Sequence, residues 1–265
     1  MTPTAKELSL SEHQYAIGAR VVAEEAAKRD HLVIYLSGAH AYGFPSPDSD
    51  LDLKAIHMAP ARDLLGFALP TLTFDRAEVI EEVEIDYTSN EIGNALGGIL
   101  LGNGNFIERV LGRTWFTSSP LKTELAPLVK ATLSRRVHWH YRGFATSQVK
   151  ELEKKPTVKK LLYVLRTALT GTHLLRTGEL EADLGNLVDA YGRADARELV
   201  AAKRAGERTA ADPALLESWR PRLDAVLSEL DASYATSVLP EEPPADAARA
   251  LEAWLVETRV RSLAG

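Results

Sequence analysis

Asp50 and Asp52 stand one residue apart in GAHAYGFPSPDSDLDL, residues 38–53, directly behind a glycine-containing turn. Side chains alternate along a strand, so both carboxylates project from one face and repel each other. A cation is the natural offset. A third carboxylate, Asp86, follows in EEVEIDYT, residues 81–88, on what reads as a later strand. Hard oxygen donors of this kind suit magnesium or manganese far better than a soft metal. Two such ions could divide the work, one activating an attacking hydroxyl and the other carrying the phosphates of a nucleoside triphosphate.

The residues around the pair fit the same chemistry. Gly38 follows the short apolar run LVIYL, where exposed backbone N–H groups could receive phosphate oxygens. Lys54 shares the strand face of Asp52, where it could hold a triphosphate or simply offset its neighbour. On a helix starting at Val158, Lys159, Tyr163 and Arg166 share a face beside an apolar stripe of Val158, Leu161, Leu162, Leu165 and Leu169. That face could contact phosphates or only solvent. His138 and His140 diverge around a helix by about 200°, which argues for packing over a metal pair. Trp115 and Trp254 are expected in the core at domain joints.

Elements to position these groups are legible along the chain. Ser11 can cap a helix running to about Arg29 and Asp30, with Tyr15, Ile17, Val21, Val22 and Ala26 at helical spacing. Strands are expected at Leu32 to Leu36, Leu51 to Met58, TLTF and EEVEIDYT, with a helical turn around Ala61 to Phe67. A helix from about Ser89 to Leu101, capped by Ser89 or Thr88, ends at the GNGN of Gly102 to Asn105, and FIERVL forms a short helix after it. Beyond Leu121 the pattern is helical throughout: Arg135 to Lys155, Val158 to Arg176, Leu184 to Tyr191, Ala194 to Ala205, Ala214 to Ala232 and Ala245 to Val260. Proline-rich LPEEPPAD, residues 239–246, connects to the last of these. The expected fold is an α/β (α+β) domain with a mixed sheet over residues 1–120, then an all-α domain over residues 121–265, with the boundary near residues 117–130.

Composition narrows the class. At 45% hydrophobic and 26% charged, the chain can form a packed core. It has no cysteine, which excludes disulfides and thiolate metal sites and suits a reducing cytoplasm. No apolar stretch approaches the ~20 residues that span a bilayer, so no membrane association is expected. A net charge of -6 argues against a wholly basic nucleic-acid-binding surface. One local basic run stands out, with Arg135, Arg136, Arg142, Lys150, Lys154, Lys155, Lys159 and Lys160 set against Glu151 and Glu153. It reads either as an RNA-facing patch or as a solvated helical face.

The order Gly38-Ala39, Asp50-Leu51-Asp52, Ile85-Asp86-Tyr87 resembles the signature of the DNA polymerase β-like nucleotidyltransferase superfamily. Within it, AHAYGFPSPDSDLDLKAI is similar to the YcgL-type nucleotidyltransferases and their branch associated with RNA ligases and RNA repair. DYTSNEIGNALGGILLGNGNFIERVL, with Asn103, Asn105 and Glu108, and KKLLYVLRTALTGTHLLRTGEL extend the resemblance to about residue 180. It implies transfer of a nucleoside monophosphate from an NTP to an acceptor hydroxyl, with Asp50, Asp52 and Asp86 binding two Mg²⁺ or Mn²⁺ ions and pyrophosphate leaving. A tRNA-like RNA end is the acceptor it favours; a protein side chain, or a catalytically weak nucleotide-binding regulator, are its alternatives. Nucleotide contacts fall by this resemblance to Ser37, Gly38, Ala39, His40, Ser49, Lys54, Lys159 and Arg166. Ala39 stands where the family has serine and His40 where it has arginine, so phosphate contact shifts to backbone amides, Ser37 or Ser49. Gly104 replaces a proline, and Tyr163 lies near a usual histidine.

Overall fold

The computed structural model describes residues 3–68, 70–204 and 213–263. The chain forms two compact units: Met1–Gly38, Asp50–Leu133 and Pro243–Gly265 make the first, and Ala39–Ser49 with Ser134–Glu242 make the second. A single cut after residue 120 therefore misplaces three segments. Residues 39–49 leave the α/β unit, while residues 121–133 and the last helix belong to it.

The first unit is built on a five-stranded sheet in the order β3-β4-β2-β1-β5. Its strands are β1 (Asp30–Leu36), β2 (Leu51–Met58), β3 (Thr73–Ile80), β4 (Val83–Glu91) and β5 (Trp115–Ser118). Only β2 and β4 run parallel; the other pairs are antiparallel, so the sheet is mixed as expected. Helix α1 (Glu12–Ala26) starts at a capping box of Ser11 and Gln14. Its Ile17 and Val21 join a core with Ile34, Leu36, Leu51, Leu53, Ile85, Tyr87 and Phe116. On this face Leu51, Leu53 and Ala55 of β2 and Val83, Ile85 and Tyr87 of β4 are all buried and alternate with more exposed residues.

Ile56 of β2 is fully buried on the other face, where α3 (Ile92–Leu100) packs, while Asp52 and Lys54 further up the strand stay partly exposed. α4 (Gly104–Leu111) and α5 (Pro120–Ala131) complete that layer. The short α2 (Gly38–Ala41) follows β1, and a 3-10 turn spans Ala61–Leu64.

Three elements differ from the sequence expectation. β4 continues to Glu91, because Ser89 pairs with Ala55 in the ladder and its hydroxyl bonds His57 Nδ1 at 2.8 Å. Glu91 then caps α3 in place of Ser89, accepting from Gly93 N at 2.6 Å. β3 extends through Ile80 into a tight turn whose Glu81 and Glu82 both have positive φ, 47° and 68°. Such a turn usually announces itself with asparagine and glycine, which are absent here. β5 and α5 lie where a linker was expected, and the internal Pro127 of α5 masks its helical pattern.

The second unit is helical, with α6 (Val137–Lys154), α7 (Val158–Thr177), α8 (Leu184–Ala190), α9 (Ala196–Arg204) and α10 (Pro213–Ala235). Expected helix ends at Ala205 lie outside the described residues. α7 is its central element, capped by Thr157 at one end and by Gly178, at φ 72°, at the other. The proline-rich connector leads into α11 (Ala245–Leu263), which returns to the first unit: Arg259 Nη2 donates to Glu91 Oε1 at 2.6 Å, and Trp254 Nε1 to Glu124 Oε2 at 3.2 Å. Trp254 and Trp115 are half-buried, not core residues, and Lys122 Nζ lies 3.0 Å from the Trp115 ring centroid.

Glu91 is 2% exposed and serves both the α3 cap and Arg259. Glu91→Ala should destabilise the protein by about 2–4 kcal/mol, since it strands a partly buried guanidinium and uncaps a helix. Urea unfolding measures this. His31 and His57 pair across β1 and β2, and burial lowers both imidazole pKa values, that of His31 to about 4 with help from the Arg29 guanidinium and His57. The unfolded chain takes up the proton more readily, so stability is full above the ordinary histidine pKa of ~6.5 and falls with acidification toward about 4. Between about pH 7.5 and about pH 5 the protein should lose about 1–2 kcal/mol more than His31→Gln does, again by urea unfolding.

Candidate active site

The carboxylates lie on the partly exposed stretch of the sheet. Leu51, Leu53 and Ala55 are fully buried, and Asp50, Asp52 and Lys54 alternate with them as partly exposed residues. Parallel pairing then sets Asp52 directly against Asp86 in register, on strands about 4.8 Å apart. Both side chains leave the sheet on the same side. Lys54 answers the crowding: its Nζ lies 2.8 Å from Asp86 Oδ1 and donates to the Asp86 carbonyl at 3.3 Å.

Gly38 closes the site from the β1 end. Its φ is 65°, a left-handed value, and a Cβ on it would fall 2.0 Å from Asp52 Oδ2. Glycine is required twice over, by conformation and by space. Ser37 N donates to the Asp52 carbonyl at 2.8 Å, holding the end of β1 beside the start of β2. Ser37, Gly38, Asp52, Lys54 and Asp86 thus sit together in the first unit, with Asp50 at the entry to β2.

Oxygen donors on adjacent strands are the right type for a hard cation, and a lysine ammonium already lies against one of them. Among the described residues, however, no three His, Asp or Glu side chains converge as a ready-made metal site. Asp86, at 55% side-chain exposure, is turned to Lys54.

The remaining expected contacts belong to the second unit. Ala39 and His40 are buried there, and Ser49 is bonded within a turn: Ser46 N donates to Ser49 Oγ at 2.9 Å. Lys159 is partly exposed on α7, but Arg166 is 2% exposed, not on an open face. Its guanidinium carbon lies 3.6 Å from the Tyr42 ring centroid, and Tyr163 meets the Tyr42 and Phe44 rings edge-on. His138 is buried and bonds Asp231 through Nε2 at 2.9 Å, the packing role expected of it. The basic run is largely engaged within its own unit. Arg135 donates to the Leu239 carbonyl, Arg136 meets Glu242, Arg142 spans both Asp231 oxygens, and Lys154 and Lys160 converge on Glu151.

Sequence reasoning missed the residues that hold 39–49 in place. Leu184 N donates to the Tyr42 carbonyl at 2.9 Å, Arg204 Nη2 to the Gly43 carbonyl at 2.8 Å, and Lys203 Nζ to Ser46 Oγ at 2.7 Å. They come from α8 and α9, more than a hundred residues downstream, and no spacing rule links them to the loop.

The chain is similar to proteins already known. An uncharacterized protein of Methanocaldococcus jannaschii, MJ0002, is 28% identical over 222 residues, which span 80% of this chain and 88% of the relative. The crystal structure of a nucleotidyltransferase-like protein from Exiguobacterium sibiricum aligns with 84% of this chain and 74% of its own, at 11% identity and a TM-score of 0.35. Among the described residues no helix is long and apolar enough to cross a membrane. The family model described as RlaP, RNA repair pathway DNA polymerase beta family, matches residues 16–257, and the chain belongs to that family.

Proposed function

We propose that this protein transfers a nucleoside monophosphate from an NTP to a hydroxyl at an RNA end, using Asp50, Asp52 and Asp86 with Mg²⁺ or Mn²⁺. The observation that carries the reading is the in-register pairing of Asp52 with Asp86, offset by Lys54, beside the Gly38 turn. RNA as acceptor is supported by the family the chain belongs to.

Two bound divalent ions would neutralise the three carboxylates, lower the pKa of the acceptor hydroxyl and carry the triphosphate charge. The protein's own groups do the rest. Asp52 and Asp86 supply oxygens from paired strands and are fixed by the sheet, while Asp50 supplies its oxygens from the residue just before β2. The acceptor oxygen attacks the α-phosphorus in line, its bond to phosphorus forms as the bond to pyrophosphate breaks, and the hydroxyl proton passes to solvent water. Lys54, on the same strand face as Asp52, would offer its ammonium to the departing phosphates. The Gly38 backbone leaves room for Asp52 to keep its position throughout.

Incubation with each α-labelled NTP, Mg²⁺ or Mn²⁺ and a mixture of RNA and protein acceptors tests the reaction. Label removed by ribonuclease and not by protease is the expected result. Label removed only by protease would move the acceptor to a protein side chain, and NTP binding without label transfer would make the chain a nucleotide-binding regulator. Asp86→Asn should cut transfer by at least about 100-fold, while its partly exposed ion pair with Lys54 makes the stability change less than about 1 kcal/mol. Gly38→Ala should do both kinds of damage, costing about 1–3 kcal/mol in unfolding free energy and abolishing transfer by displacing Asp52.

A further inference from the structure

Lys203, near the end of α9, has no solvent-exposed surface. An ammonium so placed costs several kcal/mol in lost hydration unless hydrogen bonds replace the water. Its Nζ donates to Ser46 Oγ at 2.7 Å and to Ser49 Oγ at 3.4 Å. The two serines are themselves tied: their hydroxyl oxygens are 3.0 Å apart, Ser46 N donates to Ser49 Oγ at 2.9 Å, and Ser49 N donates to the Ser46 carbonyl at 3.0 Å. Both are buried. The next residue of α9, Arg204, fixes the Gly43 carbonyl of the same loop.

This turn ends where the catalytic strand begins. Asp50 follows Ser49 directly, so its Cα lies about 3.8 Å from that of a residue held by a buried ammonium. We propose that Lys203 is a positioning residue: by pinning the Ser46–Ser49 turn it sets the backbone point from which the Asp50 carboxylate reaches the cation. Without that pin the Ser46–Ser49 turn would sample more conformations, and Asp50 would wander with it. The inference rests on Asp50 being a cation ligand, as proposed above.

The test measures Mn²⁺ binding to the protein alone by electron paramagnetic resonance, alongside kcat and KM for NTP, in Lys203→Met, Lys203→Arg, Ser49→Ala and Asp50→Asn. Lys203→Met should weaken Mn²⁺ binding and lower kcat by about 10–100-fold each, leave KM for NTP within about threefold, and keep its circular dichroism spectrum. Lys203→Arg should recover part of the loss. Ser49→Ala, which keeps the ammonium and removes one acceptor, should move the same readouts less, and it decides the matter should Lys203→Met fail to fold. Wild-type Mn²⁺ affinity and kcat in folded Lys203→Met or Ser49→Ala, with both lost in Asp50→Asn, would overturn the positioning role alone. Wild-type Mn²⁺ binding in Asp50→Asn would instead overturn the cation site, and the role of Lys203 with it.

Discussion

The parallel pairing of β2 with β4 is the constraint on which the site depends. It places Asp52 against Asp86, and like charges opposite each other on paired strands are destabilising. The sheet tolerates this because its opposite face leaves no choice. Leu51, Leu53, Ile85 and Tyr87 are buried against α1, and a slip of one residue in either strand would send carboxylates into that core. Hydrophobic burial thus fixes the position of the charges, and Lys54, on the same face, relieves them.

The second constraint is steric. Gly38 brings β1's end so near to β2 that Asp52 Oδ2 occupies the space of a missing Cβ. From there the chain leaves the first unit and returns to it at Asp50. The loop between belongs to the second unit. Its backbone and side chains are bonded by α7, α8 and α9 of the helical unit. A loop that feeds a strand of one unit and is held by another ties the strand's entry to the folding of both.

The strand that carries Asp52 and Lys54 was readable from the sequence because it obeys local rules. The period of two in LDLKAIHM put Asp52 and Lys54 on one face, and the glycine after LVIYL marked a turn, though not the close approach to Asp52 that its missing Cβ allows. Local rules failed where a distant partner decided the outcome. Ser89 looked like a helix cap until His57 and Ala55 drew it into the ladder. The Glu81-Glu82 turn carries no turn residues, and α5 hides behind Pro127. Arg166 looked like an open cation at its place on the helix, yet Tyr42, more than a hundred residues earlier, supplies the ring on which it is buried. The basic run read in sequence as an RNA-facing patch or a solvated helical face, whereas Asp231, Glu242 and the Leu239 carbonyl, none of them nearby in the chain, engage much of it.

Buried cations show where the helical unit concentrates its cost. Among the described residues of that unit, the buried arginine and lysine are Arg166 and Lys203. Each loses hydration that a surface position would have kept, and an apolar residue of similar volume would often have been the more stable choice. Both act on the same segment, Arg166 on Tyr42 and Lys203 on Ser46 and Ser49. Two such costs spent on one loop of eleven residues, Ala39–Ser49, are hard to explain by the stability of the unit as a whole. They are explained if the geometry of that loop matters in itself, and the residue it delivers is Asp50.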